Sequence, residues 1–163
     1  MKKKFFLIIL FLVFSTKLIA HTEHYKDISS LEYELFRNDK SIGFHNYKFE
    51  RSKNNLNVKS VINFKITKLG IDLYKYSGST EEIFKNSQLI KFLSTTNQNK
   101  KIKNTKIILD TKKDKLIISG SENQLVSPKE YPVGTWWNHE IIQAKAQISA
   151  VSGRVIDQKV IFL

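Results

Sequence analysis

Leu56-Asn57-Val58-Lys59-Ser60-Val61-Ile62-Asn63-Phe64-Lys65-Ile66 places Leu56, Val58, Ser60, Ile62, Phe64 and Ile66 at one parity and Asn57, Lys59, Asn63 and Lys65 at the other. Successive side chains of an extended chain point to opposite faces, so this alternation predicts an antiparallel strand with one face packed and one in water. The polar stretches on either side, Ser52-Lys53-Asn54-Asn55 and Lys68-Leu69-Gly70, read as turns.

The same pattern extends in both directions. Upstream, Leu31–Arg37 sets Leu31, Tyr33 and Leu35 on one face, Asn38–Ser41 turns the chain, and Ile42–Arg51 returns, with Gly43 marking a bulge or a close backbone approach. Downstream, Ile71–Phe84 is a long strand with Tyr74 and Tyr76 on one face and Gly78 within it, followed by Leu89–Thr96, Ile102–Asp110 and Leu116–Ser119. About seven strands joined by short polar turns predict a mainly β fold: an antiparallel up-and-down meander forming a curved sheet or partial barrel. The pattern ends at Gly120. Ser121–Lys129 reads as a loop, and Tyr131–Asn138 contains both tryptophans, Trp136 and Trp137, with Pro132 and Gly134 shaping the crossing. Asn138 then caps one short helix from His139 to about Gln147, Ser152-Gly153 turns, and Arg154–Leu163 forms a final strand.

The amino terminus reads differently. Met1-Lys2-Lys3-Lys4, the apolar run Phe5–Phe14 and the small residue Ala20 have the layout of a signal peptide cleaved after Ala20, and the run is too short to span a bilayer. The expected location is therefore periplasmic or secreted. Residues 21–30 form a flexible arm, and 31–163 a single β-rich domain. The chain has no cysteine, which excludes a disulfide framework, a thiol nucleophile and a thiolate metal site. Loss of Lys2, Lys3, Lys4 and Lys17 lowers the formal charge from +12 to about +8. Of the 27 basic residues only Arg37, Arg51 and Arg154 are arginine, the side chain suited to bidentate phosphate and guanine contacts. A lysine excess accompanied by Asn, Ile and Phe follows A/T-rich codons, so no nucleic-acid partner is expected; weak attraction to a membrane surface is the generic consequence of the charge.

Leu31–Asn38 followed by Ile42-Gly43, the Leu73-Tyr74-Lys75-Tyr76 run, the Trp137-Asn138 step and the Ser152-Gly153 turn resemble an uncharacterised family of exported proteobacterial domains of unknown function. That family is in turn loosely similar to the curved-sheet proteins that carry lipoproteins between bacterial membranes. Related chains usually continue beyond the position of Leu163, so the resemblance implies a truncated or unusually short member whose open edge needs a partner or a cover.

Few residues suggest chemistry. His-Glu-x-x-His, Gly-x-Ser-x-Gly and Gly-rich phosphate-loop patterns are absent. Glu81 and Glu82 fall on opposite faces of one strand and cannot flank a common bond, while Glu32 and Glu34 share a face as candidates for cross-strand ion pairs. Cleavage after Ala20 would expose the amine of His21, which with its imidazole and a further histidine (His24, His45 or His139) forms a copper brace; the alternative places His21 and His24 as solvated residues on the arm. Phe64, Ile66, Leu73, Tyr74, Tyr76, Phe84 and Phe92 either fill a core or line a pocket for an apolar ligand, with Trp136 or Trp137 at its rim. The expected function is a non-enzymatic binding or carrier module for an apolar or lipid-like ligand, without a cofactor. The alternatives are a small metal-dependent enzyme or copper-binding protein and an envelope structural protein.

Overall fold

The stretch Asn55–Lys68 is strand β3, and its alternation organises its neighbours: Leu56, Val58 and Ser60 are buried, whereas Lys59, Asn63 and Lys65 are exposed. The computed structural model describes residues 25–120 and 125–161. The leader reading of Met1–Ala20 and the histidines His21 and His24 lie outside them. Around β3 run β1 (Ser30–Arg37), β2 (Lys40–Ser52), β4 (Ile71–Lys85), β5 (Gln88–Gln98), β6 (Lys101–Asp110), β7 (Lys115–Gly120) and β8 (Leu125–Pro128). They form one antiparallel sheet in sequential order, a meander that is not closed into a barrel. The eighth strand lies inside the expected loop, because Leu125, Val126 and Ser127 find partners in Ile118, Ile117 and Leu116 of β7.

The register aligns the apolar parities of all the strands. On the inner face, Phe49 pairs with Val58, Val58 with Glu82, Glu82 with Phe92, and Phe92 with Ile107. The outer face carries cross-strand ion pairs, the exposed Lys59–Glu50 at 3.1 Å and the half-buried Lys91–Glu81 at 3.2 Å. Glu32 and Glu34 do not take the expected part in this: they face Asn46 and Phe44, and among the described residues neither forms an ion pair.

Gly43 is a close approach between β2 and β3. A Cβ there would lie 2.0 Å from the Asn63 carbonyl oxygen and 2.6 Å from the Phe64 Cα, both backbone atoms that cannot yield singly. Gly43→Ala is therefore expected to lower stability by about 1–3 kcal/mol in urea denaturation, the usual cost of overpacking a tight site; an unchanged midpoint would contradict the register described here.

Beyond β8 the chain returns across the inner face as a strap. Val133 and Ile148 form a parallel bridge, sealed by hydrogen bonds from Gly134 N to Ile148 O and from Ile148 N to Pro132 O, both 2.8 Å. The helix is shorter than expected: α1 spans Glu140–Gln143, with Asn138 Oδ1 accepting from Glu140 N at 3.0 Å. Ala144 is already extended, because Ala146–Ile148 (β9) buries Ala146 and Ile148 at strand period and pairs with Val155–Asp157 (β10). The last strand is correspondingly shorter than Arg154–Leu163. Gln158 leaves it to serve α1, donating to the carbonyls of Ala144, at 2.9 Å, and Ile141. The strap approaches β7 closely enough that a Cβ on Gly153 would meet Ile118 Cγ2 at 2.8 Å.

Candidate functional site

The strap divides the inner face into a covered part and an open part. Trp137 anchors the covered part. Its indole meets Phe49, Phe84 and Tyr25 edge-on, with centroids 5.5, 5.7 and 5.9 Å away. Tyr25 is itself stacked on Phe49 and held through its carbonyl by the Arg51 guanidinium. The indole N–H cannot be buried without an acceptor, and Glu82 supplies one: Trp137 Nε1 donates to Glu82 Oε1 at 2.7 Å, and Thr135 Oγ1 donates to Oε2 at 3.4 Å. Glu82 is 1% exposed. Burial pushes its carboxyl from 4.5 up to about 7, and the two donated hydrogen bonds offset only part of that rise. Its side-chain partners among the described residues are these two donors, an arrangement that clamps the strap to β4. A cleft of about 340 Å³ lies between β4 and the strap, bordered by Glu82, Tyr131, Asn138 and Glu140.

The open part lies over the halves of β1–β4 nearest the β1–β2 and β3–β4 turns. Phe64 stacks on Tyr76, its cross-strand partner, at 5.2 Å, and lies 5.9 Å from Tyr74. Ile62, Phe64, Ile66, Tyr74 and Tyr76 are each only half-buried, and none belongs to the hydrophobic cluster beneath the strap. Gly78 forms the floor beside Tyr76, touching Ile62 and Thr96 across the neighbouring strands. His45 and Tyr33 continue the face on the β1–β2 side. The His45 ring packs 4.3 Å from Tyr47, whose hydroxyl bonds His45 Nδ1 at 3.4 Å, and Tyr33 meets Tyr47 edge-on at 6.2 Å. Burial lowers the pKa of His45 and raises that of Tyr76, and the neighbouring Tyr74 adds to the latter, so this stretch favours neutral groups.

The residues singled out from sequence thus separate. Phe64, Tyr74 and Tyr76 come together on the open part, while Phe92 and Trp137 sit in the packed core. Phe84 joins that core, and Leu73 is an exposed residue. Trp136 is 81% exposed. His139 is exposed, 3.2 Å from the Tyr25 hydroxyl. Among the described residues no group of three or more His, Cys, Asp or Glu is placed to hold a metal ion.

The burial of Glu82, its partner Thr135 and the grouping of His45 with Tyr47 and Tyr33 were not foreseen from sequence, where His45 figured only as a candidate metal ligand. A signal for Glu82 was present, since it shares the parity of Tyr74, Tyr76 and Phe84 on β4.

The sequence matches the family described as Domain of unknown function (DUF6134) over residues 33–163. The chain belongs to this family. No curated protein and no solved structure matches it. The matched range starts at Tyr33 and includes the open face, Glu82, Trp137 and the strap, so both parts of the inner face fall within the DUF6134 domain.

Proposed function

We propose that the protein is a non-enzymatic binding or carrier module for an apolar or lipid-like molecule, working in the periplasm or outside the cell. The observation that supports this most is the half-buried aromatic floor of Phe64, Tyr74 and Tyr76, left clear of the strap in a sheet whose other half is fully packed. Aromatic rings on rigid strands offer broad apolar contact at little entropic cost, and an apolar body laid on them gains roughly 25 cal/mol per Å² removed from water. The location rests on the leader pattern of residues 1–20.

A fluorescent fatty acid is the probe of choice. Saturable binding is expected to the wild-type protein and to be weakened about tenfold by Tyr76→Ser, which removes one ring of the floor. A Trp136→Ser variant tests whether the exposed tryptophan forms a rim. Absence of saturable wild-type binding, together with lipid-free protein by native mass spectrometry, would sink the proposal.

A further inference from the structure

Five two-residue turns join the strands from β1 to β6, and four place a polar residue in the left-handed first position: Asn38, Lys53, Asn86 and Asn99. The β3–β4 turn instead has Leu69, at φ 51°, followed by Gly70. Leucine is disfavoured there twice, by the clash of its Cβ in that backbone region and by its exposure to water. Its side chain is 93% exposed, and Ile71 and Leu73 beside it are 66% and 55% exposed. Folding alone would select Asn-Gly at this tip.

Basic residues surround these apolar ones. Lys65 and Lys68 lie on β3, and the β5–β6 turn brings Lys100 and Lys101 to the same end of the sheet. The two turns are neighbours: Asn99 N donates to Lys75 O at 3.0 Å, and Lys75 N to Asn99 Oδ1 at 2.7 Å. Asp72 engages Lys75 at 2.8 Å, but among the described residues Lys65, Lys68, Lys100 and Lys101 form no ion pair. A cleft of about 540 Å³ at this end is bordered by Phe64 and Tyr76 as well as by Lys65, Lys75 and Lys100. Most of its wall, including Asn63, Ser77 and Asn97, has the outer parity, so the cleft opens on the outer face; the tip joins the open part of the inner face through Ile66 and Tyr74, the half-buried pair beside the turn.

We propose that the β3–β4 turn is a membrane-docking tip. Leu69 and Ile71 enter the headgroup–acyl boundary of an anionic bilayer, and Lys65, Lys68, Lys100 and Lys101 meet the phosphates. Docking presents the aromatic floor to the headgroups, so that a lipid-like molecule passes between bilayer and protein; this last step rests on the function proposed above, and the docking does not.

Flotation with vesicles of phosphatidylcholine containing about one-third phosphatidylglycerol tests it. Wild-type protein is expected to float with these vesicles and not with pure phosphatidylcholine. Leu69→Asn should weaken partitioning about tenfold while leaving thermal stability equal or higher, because asparagine tolerates the left-handed backbone. Joint Lys68→Glu and Lys100→Glu should remove the dependence on phosphatidylglycerol, whereas Lys112→Glu with Lys113→Glu, in the β6–β7 loop at the opposite end, should not. Unchanged flotation of Leu69→Asn, or equal loss from both lysine pairs, overturns the docking tip. Fatty-acid binding measured in solution without vesicles separates the two proposals: Leu69→Asn should leave it unchanged and Tyr76→Ser should weaken it about tenfold.

Discussion

Trp137→Ala is expected to destabilise the domain by about 3–5 kcal/mol, the range for deleting a large buried aromatic ring. Domains of this size are stable by only about 5–15 kcal/mol, so much of the folded population would be lost on mild warming. Two effects add. The cavity left among Tyr25, Phe49 and Phe84 loses its edge-to-face contacts, and Glu82 loses its shorter hydrogen bond. The adjacent Trp136 is 81% exposed, and Trp136→Ala should change stability by no more than about 0.5 kcal/mol. Urea denaturation followed by circular dichroism compares the two variants directly. Similar midpoints would mean that the strap is not anchored through Trp137.

Stability is expected to fall by about 3 kcal/mol between pH 4.5 and about 7, and Glu82→Gln to abolish that fall. The folded protein holds this carboxyl protonated up to about pH 7, whereas the unfolded chain releases the proton near the ordinary value of 4.5. Between those values folding takes up a proton, so the contribution is full below about pH 4.5, declines as pH rises and levels off above about pH 7. Glutamine retains an oxygen to accept from Trp137 and carries no charge to bury. The variant should match wild type at low pH and exceed it at pH 8, by up to about 3 kcal/mol. His45, whose pKa burial lowers, contributes a pH dependence of the opposite sign, and taking the difference between wild type and Glu82→Gln at each pH removes it. Parallel curves for the two proteins would rule out Glu82 as the source.

Much of the sheet was legible because its determinants are local. The alternation of Leu56 to Ile66 specifies a strand and its faces within eleven residues. Polar pairs such as Asn38-Asp39 and Asn99-Lys100 specify the turns through their tolerance of left-handed backbone. The stacking of Phe64 on Tyr76 was not legible in this way: the two-residue turn alone would set Phe64 opposite Lys75, and a bulge at Ile66/Thr67 shifts the register by one residue to bring Tyr76 opposite. The carboxy-terminal region was less legible. Ala144-Lys145-Ala146-Gln147-Ile148 suits either a helix end or a strand, and the choice rests with Pro132, Gly134 and the Val155–Asp157 segment, which supply the hydrogen bonds.

Glu82 marks the limit most clearly. A glutamate in an alternating strand ordinarily faces water, as Glu81 does beside Lys91. Glu82 is buried because Trp137, 55 residues downstream, needs an acceptor beneath the strap. The amino-acid sequence by itself determined an antiparallel meander and the parity of each inward side chain, because strand period and turn chemistry are properties of neighbouring residues. Only the tertiary structure decided where the strap crosses, and hence which half of the inner face became a packed core around Glu82 and Trp137 and which half kept Phe64, Tyr74 and Tyr76 open. That choice depends on long-range packing of residues far apart in the chain, where no local pattern records the partner.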